Sequence, residues 1–576
     1  MSEKTKKLSI SFDGFGGIDH NVLHDPKNVA DDIVNFRITK DGSLKKRPGY
    51  RLLADLGSDI RAISPLYVRN KQQLLVLCGN RVSCIDPDTG SREMLGYTNS
   101  YVGNAAFFCY NGMILLIDGC EVFKYVDGQF SNAMGYIPLV GENWSTDVPG
   151  EVLEPRNIIN NYARLTYIVP PASTVFFHTK YPVKSVKRVF LNGTLLTSTA
   201  YEINRRFTTV DLLESIYEGD VIEIHLEYEP ELAELKNHLL NSCSSALFGS
   251  TGYTGIFLCG GNGSNSVFRS QNVGPEGEKG AFSFSESSDV IYFPEHSHFE
   301  VGDGIHEIKS VVRHRDKILI FTGSDVWMTS PDIINEGNIP AVSINSNIGC
   351  VTNNGAIPVK NETVSIGRNS IWRWSGDADD SSSYSATNIS SEINDELCLH
   401  GTENCGIFFD PLKDEIWVYS KISDVAWIFN GENNCWYKYK GIHAKDMAFV
   451  GRHVVFTNGG RIFIIDDDLS ADYPSEEVVT PIDAYYYSAV KDFGSSRLKN
   501  LAALSLRADT GGEPVSIEFD CDNNETYRFS LYDPKARGHS VINKRLFSGR
   551  FCCTGIRISS SSLASQVIHG LTVKTR

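Results

Sequence analysis

QLLVLCGNRVSCID, residues 73–86, decides the fold class that the sequence predicts. An apolar run ends there at a tight turn and a second apolar run follows, which is the pattern of a β-hairpin. Similar units recur at a spacing of roughly 40 residues, as they do in propellers built from repeated small sheets. They lie at 112–125, 317–328, 415–430 and 452–466. The series predicts a β-propeller of about six blades.

Asn-Gly and Asp-Gly pairs separate many of the apolar runs. Both residues of such a pair tolerate a positive φ, so each pair is a strong local signal for a hairpin turn. The pairs lie at 41–42, 111–112, 118–119, 127–128, 192–193, 430–431 and 458–459. Because helical periodicity is nearly absent, the chain is predicted to be all-β.

Two stretches differ from the propeller units in their longer alternating strands. The first, between residues 158 and 229, predicts an inserted β-sandwich, and an amphipathic helix at 229–240 is expected to return the chain to the propeller. The second, at 484–576, predicts a C-terminal β-sandwich that follows an acidic connector at 470–480. The predicted domains are an N-terminal arm with the first blades (1–157), the inserted sandwich with its helix (158–240), the remaining blades (241–470) and the C-terminal sandwich (471–576).

The chain carries a formal net charge of -16 at pH 7. This excess of acid argues against a protein that wraps DNA with a basic surface. An acidic wall would let DNA slide through a channel, although an acidic protein without any channel fits the charge as well. The 13 cysteines show no Cys-x-x-Cys pair, so we expect buried thiols in a chain folded in a reducing cytoplasm. The sequence shows neither a signal-peptide core nor an apolar stretch of membrane length.

Residues 28–50, NVADDIVNFRITKDGSLKKRPGY, form the most distinctive string. It resembles the N-terminal signature of bacteriophage tail nozzle or packaged-DNA stabilisation proteins, in which Asn and Arg on one strand precede a Gly-x-Leu-x-Lys-Arg-Pro-Gly turn. The matching positions are Asn35, Arg37, Gly42, Leu44, Lys46, Arg47, Pro48 and Gly49. The stretches 266–270, 291–294 and 427–439 are similar to the same family.

The turns at 41–42 and 48–49 are expected to display Lys46 and Arg47 between them. With the resemblance, the motif is a candidate for an assembly interface. Without it, a surface hairpin whose basic pair is merely solvated is the simpler interpretation.

The resemblance implies a structural virion protein of the tail, made in the host cytoplasm, and not an enzyme. Its expected partners are other copies of the chain in a ring of six, with twelve open, together with a portal-side adaptor and other tail proteins. Double-stranded DNA would pass through the lumen without sequence-specific contacts. No cofactor and no metal are expected.

The sequence also allows other functions. A receptor-binding or sugar-cleaving propeller could use aromatic residues for glycan contacts, and these are Trp372, Trp374 and Trp436. Glycosidase carboxylates could come from Asp289, Glu295, Asp410 and Glu415. A metal could be held by His296 and His298 with Glu295 and Glu300, although an exposed polar edge is the more common meaning of such a cluster. A host cytoplasmic scaffold is the third possibility. No P-loop, serine-hydrolase elbow or metalloprotease motif occurs, and the glycine-rich 260–265 is expected to be a loop.

Overall fold

The computed structural model describes residues 8–21, 28–68, 71–110, 113–144, 150–171, 176–206, 208–250, 253–261, 263–271, 291–302, 306–330, 341–376, 384–534 and 538–576. The chain forms two compact units. Unit 1 comprises Met1–Met94, Gly355–Ser375 and Ser385–Arg576, and unit 2 comprises Leu95–Asn354 and Gly376–Tyr384.

The secondary structure consists almost entirely of strands. The first strands are β1 (Leu8–Phe12), β2 (Ala30–Val34), β3 (Phe36–Ile38), β4 (Leu44–Lys46), β5 (Gly49–Asp55), β6 (Ile60–Val68), β7 (Lys71–Cys78), β8 (Arg81–Ile85) and β9 (Arg92–Tyr97). Next come β10 (Ala106–Tyr110), β11 (Met113–Ile117), β12 (Val122–Val126), β13 (Gln129–Asn132), β14 (Leu139–Glu142), β15 (Tyr162–Ile168), β16 (Phe176–His178), β17 (Val183–Leu191), β18 (Thr194–Leu195), β19 (Tyr201–Asn204), β20 (Thr209–Leu212), β21 (Val221–Tyr228) and helix α1 (Ala233–Leu240). They are followed by β22 (Ser244–Ser250), β23 (Tyr253–Cys259), β24 (Ser266–Arg269), β25 (His298–Glu300), β26 (Ile308–His314), β27 (Lys317–Thr322), β28 (Val326–Thr329) and β29 (Ala341–Asn345).

The remaining elements all belong to unit 1. They are β30 (Ala356–Val359), β31 (Glu362–Gly367), β32 (Ser370–Ser375), β33 (Ser385–Asn388), helix α2 (Asn394–His400), a 3-10 turn (Thr402–Asn404), β34 (Cys405–Asp410), β35 (Glu415–Ser420), β36 (Val425–Asn430), β37 (Cys435–Lys440), β38 (Asp446–Val450), β39 (His453–Asn458) and β40 (Arg461–Asp466). The last are β41 (Ala471–Ser475), β42 (Val478–Pro481), β43 (Ala484–Ser488), β44 (Lys499–Asp509), β45 (Val515–Cys521), β46 (Thr526–Leu531), β47 (Ser540–Phe551), β48 (Thr554–Ser560) and β49 (Val567–Thr575).

Four-stranded meanders, the unit from which propeller blades are built, recur along the chain. In unit 2 they are β10–β13, β22–β25 and β26–β29. In unit 1 they are β30–β33, β34–β37, the set β38–β40 with β5, and β6–β9, of which β9 belongs to unit 1 as far as Met94. The described strands thus form seven such sheets, one more than the six or so expected from the sequence. The all-β propeller class predicted from the hairpin series is confirmed.

The last meander takes its fourth strand from the start of the chain. Strand β5 pairs antiparallel with β40, from Asp55 opposite Arg461 to Gly49 opposite Asp466. Strand β40 has apolar side chains on both faces, and its residues 462–465 are all buried. The cluster of buried side chains around them comprises Leu56, Leu74, Val76, Cys78, Ile85, Ala448, Val450, Val455, Ile462 and Ile464.

The C-terminal sandwich also takes strands from the start of the chain. Strands β1, β3 and β4 lie in one sheet with β44, β47 and β49, while β2 lies in another with β43, β48, β45 and β46. The ring of Phe12 from the first sheet meets that of Tyr486 from the second, with centroids 6.4 Å apart. The sequence placed this sandwich in residues 471–576 alone, and the structure corrects that boundary because residues 8–46 supply four of its strands.

A second sandwich lies in unit 2. One sheet has the order β14-β15-β21-β17-β18 and the other the order β16-β20-β19. Their alternate residues form a separate core that includes Leu165, Val189, Val210, Ile222 and Ile224. Helix α1 follows β21 and begins at Ala233, later than the predicted helix at 229–240. Within the described part of the chain, no helix has both the length and the apolar character needed to span a bilayer.

Replacement of Gly49 by alanine tests the closure by β5. A Cβ atom at Gly49 would lie 1.9 Å from the Ala471 carbonyl oxygen and 2.7 Å from its carbon, so backbone would have to move. We expect Gly49→Ala to lower the free energy of unfolding by about 1–3 kcal/mol, measured by chemical denaturation. Gly14→Ala is the matched control, since nothing lies within 4 Å of its Cβ position. Equal stability of the two variants would contradict the close approach.

Candidate functional site

The family-like motif occupies a hairpin and the strand after it. The β3–β4 hairpin turns at Gly42, whose φ is +77° and whose N–H donates to the Thr39 carbonyl at 2.8 Å. Hydrogen bonds from Thr39 and Ser43 lower the pKa of the Asp41 carboxyl below its ordinary value. Leu44 is fully buried opposite Ile568 of β49. The turn predicted from Asp-Gly therefore positions β4, with its buried Leu44, beside β49 in the C-terminal sandwich.

Arg47 is the most fully bonded side chain of the motif. It is 2% exposed, and its Nη1 and Nη2 donate to the two Asp472 carboxylate oxygens at 2.8 and 2.6 Å. The same nitrogens donate to the carbonyls of Pro48 at 3.0 Å and Lys440 at 3.1 Å, and Nε donates to Asn35 Oδ1 at 3.0 Å. All five guanidinium N–H groups thus have acceptors. A buried arginine is stable only under such complete pairing.

Asn35 connects three segments of unit 1. Its backbone adopts a left-handed conformation with φ of 58°, which Asn tolerates better than most residues. Its side-chain Oδ1 accepts hydrogen bonds from Arg47 and from the Lys440 N–H at 2.8 Å, and Nδ2 donates to the Asp483 carbonyl at 2.7 Å. Asn35 therefore ties β2 to β37 on one side and to the strand entering β43 on the other.

Lys46 points into protein as well. It is 2% exposed, and its ammonium donates to the carbonyl of Ser562 and, at 3.4 Å, to that of Ala564. Burial, reinforced by the neighbouring Arg47 charge, lowers the pKa of Lys46 to about 8. The ammonium is thus held by the dipoles of two carbonyl groups.

Arg37 faces a buried carboxylate. Its Nη2 lies 3.7 Å from Glu415 Oε1, which also accepts a hydrogen bond from Tyr437 Oη at 2.6 Å. Burial raises the pKa of the Glu415 carboxyl, while the Arg37 charge opposes the rise. Burial acts to lower the pKa of Arg37, yet the charges of Tyr439 and Glu415 raise it overall. The pair is a structural contact within the β34–β37 sheet and its neighbour β3.

These positions correct the expected display of the basic pair. Lys46 and Arg47 are almost inaccessible, and the cavity beside them has a volume of only about 10 Å³, enough for one water-sized molecule. Neither side chain offers a charged surface to another molecule. The prediction failed because a Lys-Arg pair is expected to be hydrated on hydropathy alone. Here backbone carbonyls and the Asp472 carboxylate accept the hydrogen bonds that water would otherwise accept.

Two of the three candidate glycan-binding tryptophans lie in the core. Trp374 and Trp436 are each 1% exposed, and their indole N–H groups donate to Ser365 Oγ at 2.9 Å and to the Ile389 carbonyl at 2.6 Å. Their assignment to glycan contacts is therefore wrong. Trp372 on β32 is half-buried.

The candidate carboxylates do not form a catalytic arrangement in the residues described. Asp289 lies outside those residues. Asp410 accepts backbone N–H bonds from Leu412 and Lys413 in a turn, while Glu415 is used as described above. Glu295 is bound by Arg156, with Nη2 at 2.7 Å from Oε2.

The possible metal cluster is also dispersed. His298 Nδ1 contacts the Glu295 carbonyl at 2.8 Å, and His296 is 73% exposed at 3.9 Å from Glu295 Oε1. Over the described ranges, no group of three or more His, Cys, Asp or Glu side chains is arranged to hold a metal. Hydrogen bonding to backbone and Arg156 is the role that the structure gives these residues.

Asp472 is the site residue that the sequence did not reveal. It lies in the stretch at 470–480 that was interpreted as an acidic connector, and nothing in its local sequence marks it as buried. Its partner Arg47 is 425 positions away. Only a comparison of co-varying positions in relatives could have paired them before the structure.

No family model matches the chain, and no curated protein matches it. Among solved structures, the β-propeller domain of Cps50 (Swd1) from Myceliophteria thermophila is similar at 8% identity, with 72% of this chain and 98% of that chain covered and a TM-score of 0.34. A likeness at this level carries no inference about function, and the strand pairings alone define the fold described above.

Removal of the Arg47 guanidinium should leave the Asp472 carboxylate buried and unpaired. We expect Arg47→Leu to lower the free energy of unfolding by about 3–5 kcal/mol in chemical denaturation. The exposed pair Arg461–Asp55, joined at 2.9 Å, gives the control, because Arg461→Leu should cost less than about 1 kcal/mol. A similar small loss for both variants would contradict the structural importance of the buried pair.

Lys46 should make stability depend on pH in a defined window. Its folded pKa of about 8 lies below the ordinary value of 10.5, so between these values the unfolded chain binds more protons than the folded one. Stability contributed by this group therefore rises with pH from about 8 to 10.5 and is constant below that window. We expect the stability of the wild type minus that of Lys46→Met to increase across the window. A difference that stays flat or falls would contradict the lowered pKa.

Proposed function

We propose that this chain is a structural tail protein of a bacteriophage, a nozzle or tail hub that forms a ring around the DNA channel. In this role it retains the packaged genome and conducts it at ejection. The proposal rests on the family-like motif. The side chains of Asn35, Lys46 and Arg47 all form hydrogen bonds within the chain. A motif whose polar groups are bonded within the chain supports a structural role. A catalytic or binding motif would keep some of its polar groups available for a ligand.

The charge of the chain supports the same proposal. A formal net charge of -16 gives DNA no dense basic surface to adhere to. DNA that must be released quickly is better served by a wall that repels it weakly than by one that holds it. The proposed contact with DNA is therefore non-specific and transient.

A ring needs an interface between unlike patches of neighbouring copies. Because Lys46 and Arg47 are buried, that interface must use other residues. The proposal places it at exposed apolar residues of unit 2 at the end of β9 and just after it, where Tyr97, Tyr101 and Val102 are 56%, 68% and 79% exposed. Neighbouring exposed apolar side chains of this kind mark protein contacts. The proposed occupant is a second copy of this chain.

Imaging of the purified protein tests the proposal. We expect negative-stain rings of six copies, with twelve as the alternative order, in the presence of the portal-side adaptor, and no glycosidase activity. Rings should be lost in the double variant Tyr101→Asp/Val102→Asp, because two unpaired carboxylates would be buried at the contact. The matched control is Leu213→Asp/Tyr217→Asp, which changes two side chains that are 60% and 72% exposed elsewhere in unit 2.

Two outcomes count against parts of this proposal. Monodisperse monomers at high concentration with the adaptor present would contradict the ring and with it the tail function. Rings that survive the Tyr101/Val102 change but not the control change would move the interface to the inserted sandwich. The glycan-binding alternative at Trp372, Trp374 and Trp436 is not proposed further, since two of these residues are in the core.

A further inference from the structure

A second cavity in unit 1 has the size of a ligand site. Its volume is about 400 Å³, within the range of small-molecule pockets. Helix α2 provides Glu396, Leu399 and His400, the turn between β35 and β36 provides Ser423 and Asp424, and β37 provides Lys438 and Lys440. None of the motif residues lines it.

One wall of this cavity is held rigidly. Glu396 Oε1 accepts from Lys438 Nζ at 2.7 Å, and Oε2 accepts from the Trp427 indole N–H at 2.8 Å. Lys438 Nζ lies 2.8 Å from Asp32 as well. These bonds hold the wall in one arrangement, and such preorganisation favours binding of a small ligand.

The turn between β35 and β36 brings polar groups to the cavity whose hydrogen-bonding capacity the fold uses only in part. The Ser423 hydroxyl oxygen is buried, and it has no hydrogen-bond partner within the described residues. Asp424 accepts from the Gly441 N–H through Oδ2 at 3.1 Å, which leaves its second oxygen available. A buried hydroxyl without a partner is uncommon in a folded protein and calls for an explanation. Ser423 is among the residues that line the cavity.

The charges around the cavity favour a neutral ligand. Groups of both signs line the cavity, and Glu396 and Lys438 neutralise each other, so a ligand with a single net charge gains little from them. The remaining lining residues are His400, Val425 and Leu399, whose side chain is 86% exposed. An uncharged ligand that donates and accepts hydrogen bonds and also has an apolar face suits this lining.

We propose that this cavity binds a neutral saccharide of one or two rings. Sugar hydroxyls would bond Ser423, Asp424 and Lys440, and the C–H face of a ring would pack on Leu399. This inference is independent of the proposed tail function. It assigns a site that shares no residue with the tryptophans first considered for glycan contacts.

The test uses a panel of glucose, galactose, mannose, N-acetylglucosamine and the disaccharides made from them. Binding to the full chain is measured by saturation-transfer NMR and titration calorimetry. We expect at least one member of the panel to bind and Asp424→Asn and Ser423→Ala each to weaken it about tenfold, as expected for a lost hydrogen bond to a sugar. Glu432→Gln is the matched control, because Glu432 lies in the turn at the other end of the same sheet and is 43% exposed.

The variants separate loss of binding from loss of fold. Ser423→Ala removes a hydroxyl without a partner, so its melting temperature should equal that of the wild type. Absence of binding by every saccharide would overturn the proposal, as would equal affinity of the wild type, Asp424→Asn and Ser423→Ala. Capture of a peptide at this cavity in place of any saccharide would also overturn it. Rings observed without saccharide binding would leave the tail function intact and remove only this site.

Discussion

The buried ion pair of Arg47 and Asp472 is the interaction on which unit 1 depends. A guanidinium removed from water is tolerated only when each N–H finds an acceptor, and here two carboxylate oxygens, two carbonyls and one amide oxygen provide them. The acceptors come from the residues that follow β2 and β4, from the end of β37 and from β41. Because a partial arrangement would leave a buried charge unpaired, these segments are constrained to assemble together.

This constraint explains why residues 28–55 do not form a separate arm. Strand β2 lies between β37 and β43 and makes one nine-stranded sheet of a blade-like meander and half of the C-terminal sandwich. Strand β5 completes the β38–β40 sheet. Such pairings are long-range and costly in chain entropy, so the polar contacts of Asn35 and Arg47 add specificity where apolar alternation alone would allow a register slip.

The resemblance and the structure bear on the motif in different ways. The resemblance implies a tail protein. In the structure, the side chains of the motif join separate segments of unit 1 by hydrogen bonds. A structural role for the motif is compatible with the proposed tail function. The cavity beside helix α2 differs from the motif. Glu396 and Lys438 in its wall are paired with each other, but Ser423 and Asp424 keep hydrogen-bonding capacity that the fold does not use. Assembly and recognition would then depend on separate surfaces.

The sequence by itself determined the all-β class and many hairpins, because turn chemistry and period-two alternation act within a few residues. Residues 73–86 and 452–466 became β7–β8 and β39–β40, as the Gly-containing turns indicated; the pair at 111–112 lies outside the described residues. Only the tertiary structure decided that Arg47 and Lys46 are buried, that Trp374 and Trp436 are core residues, and that β5 joins β40. The reason is physical: the burial of a charge depends on a partner, and Asp472 lies 425 positions from Arg47, beyond the reach of any local pattern.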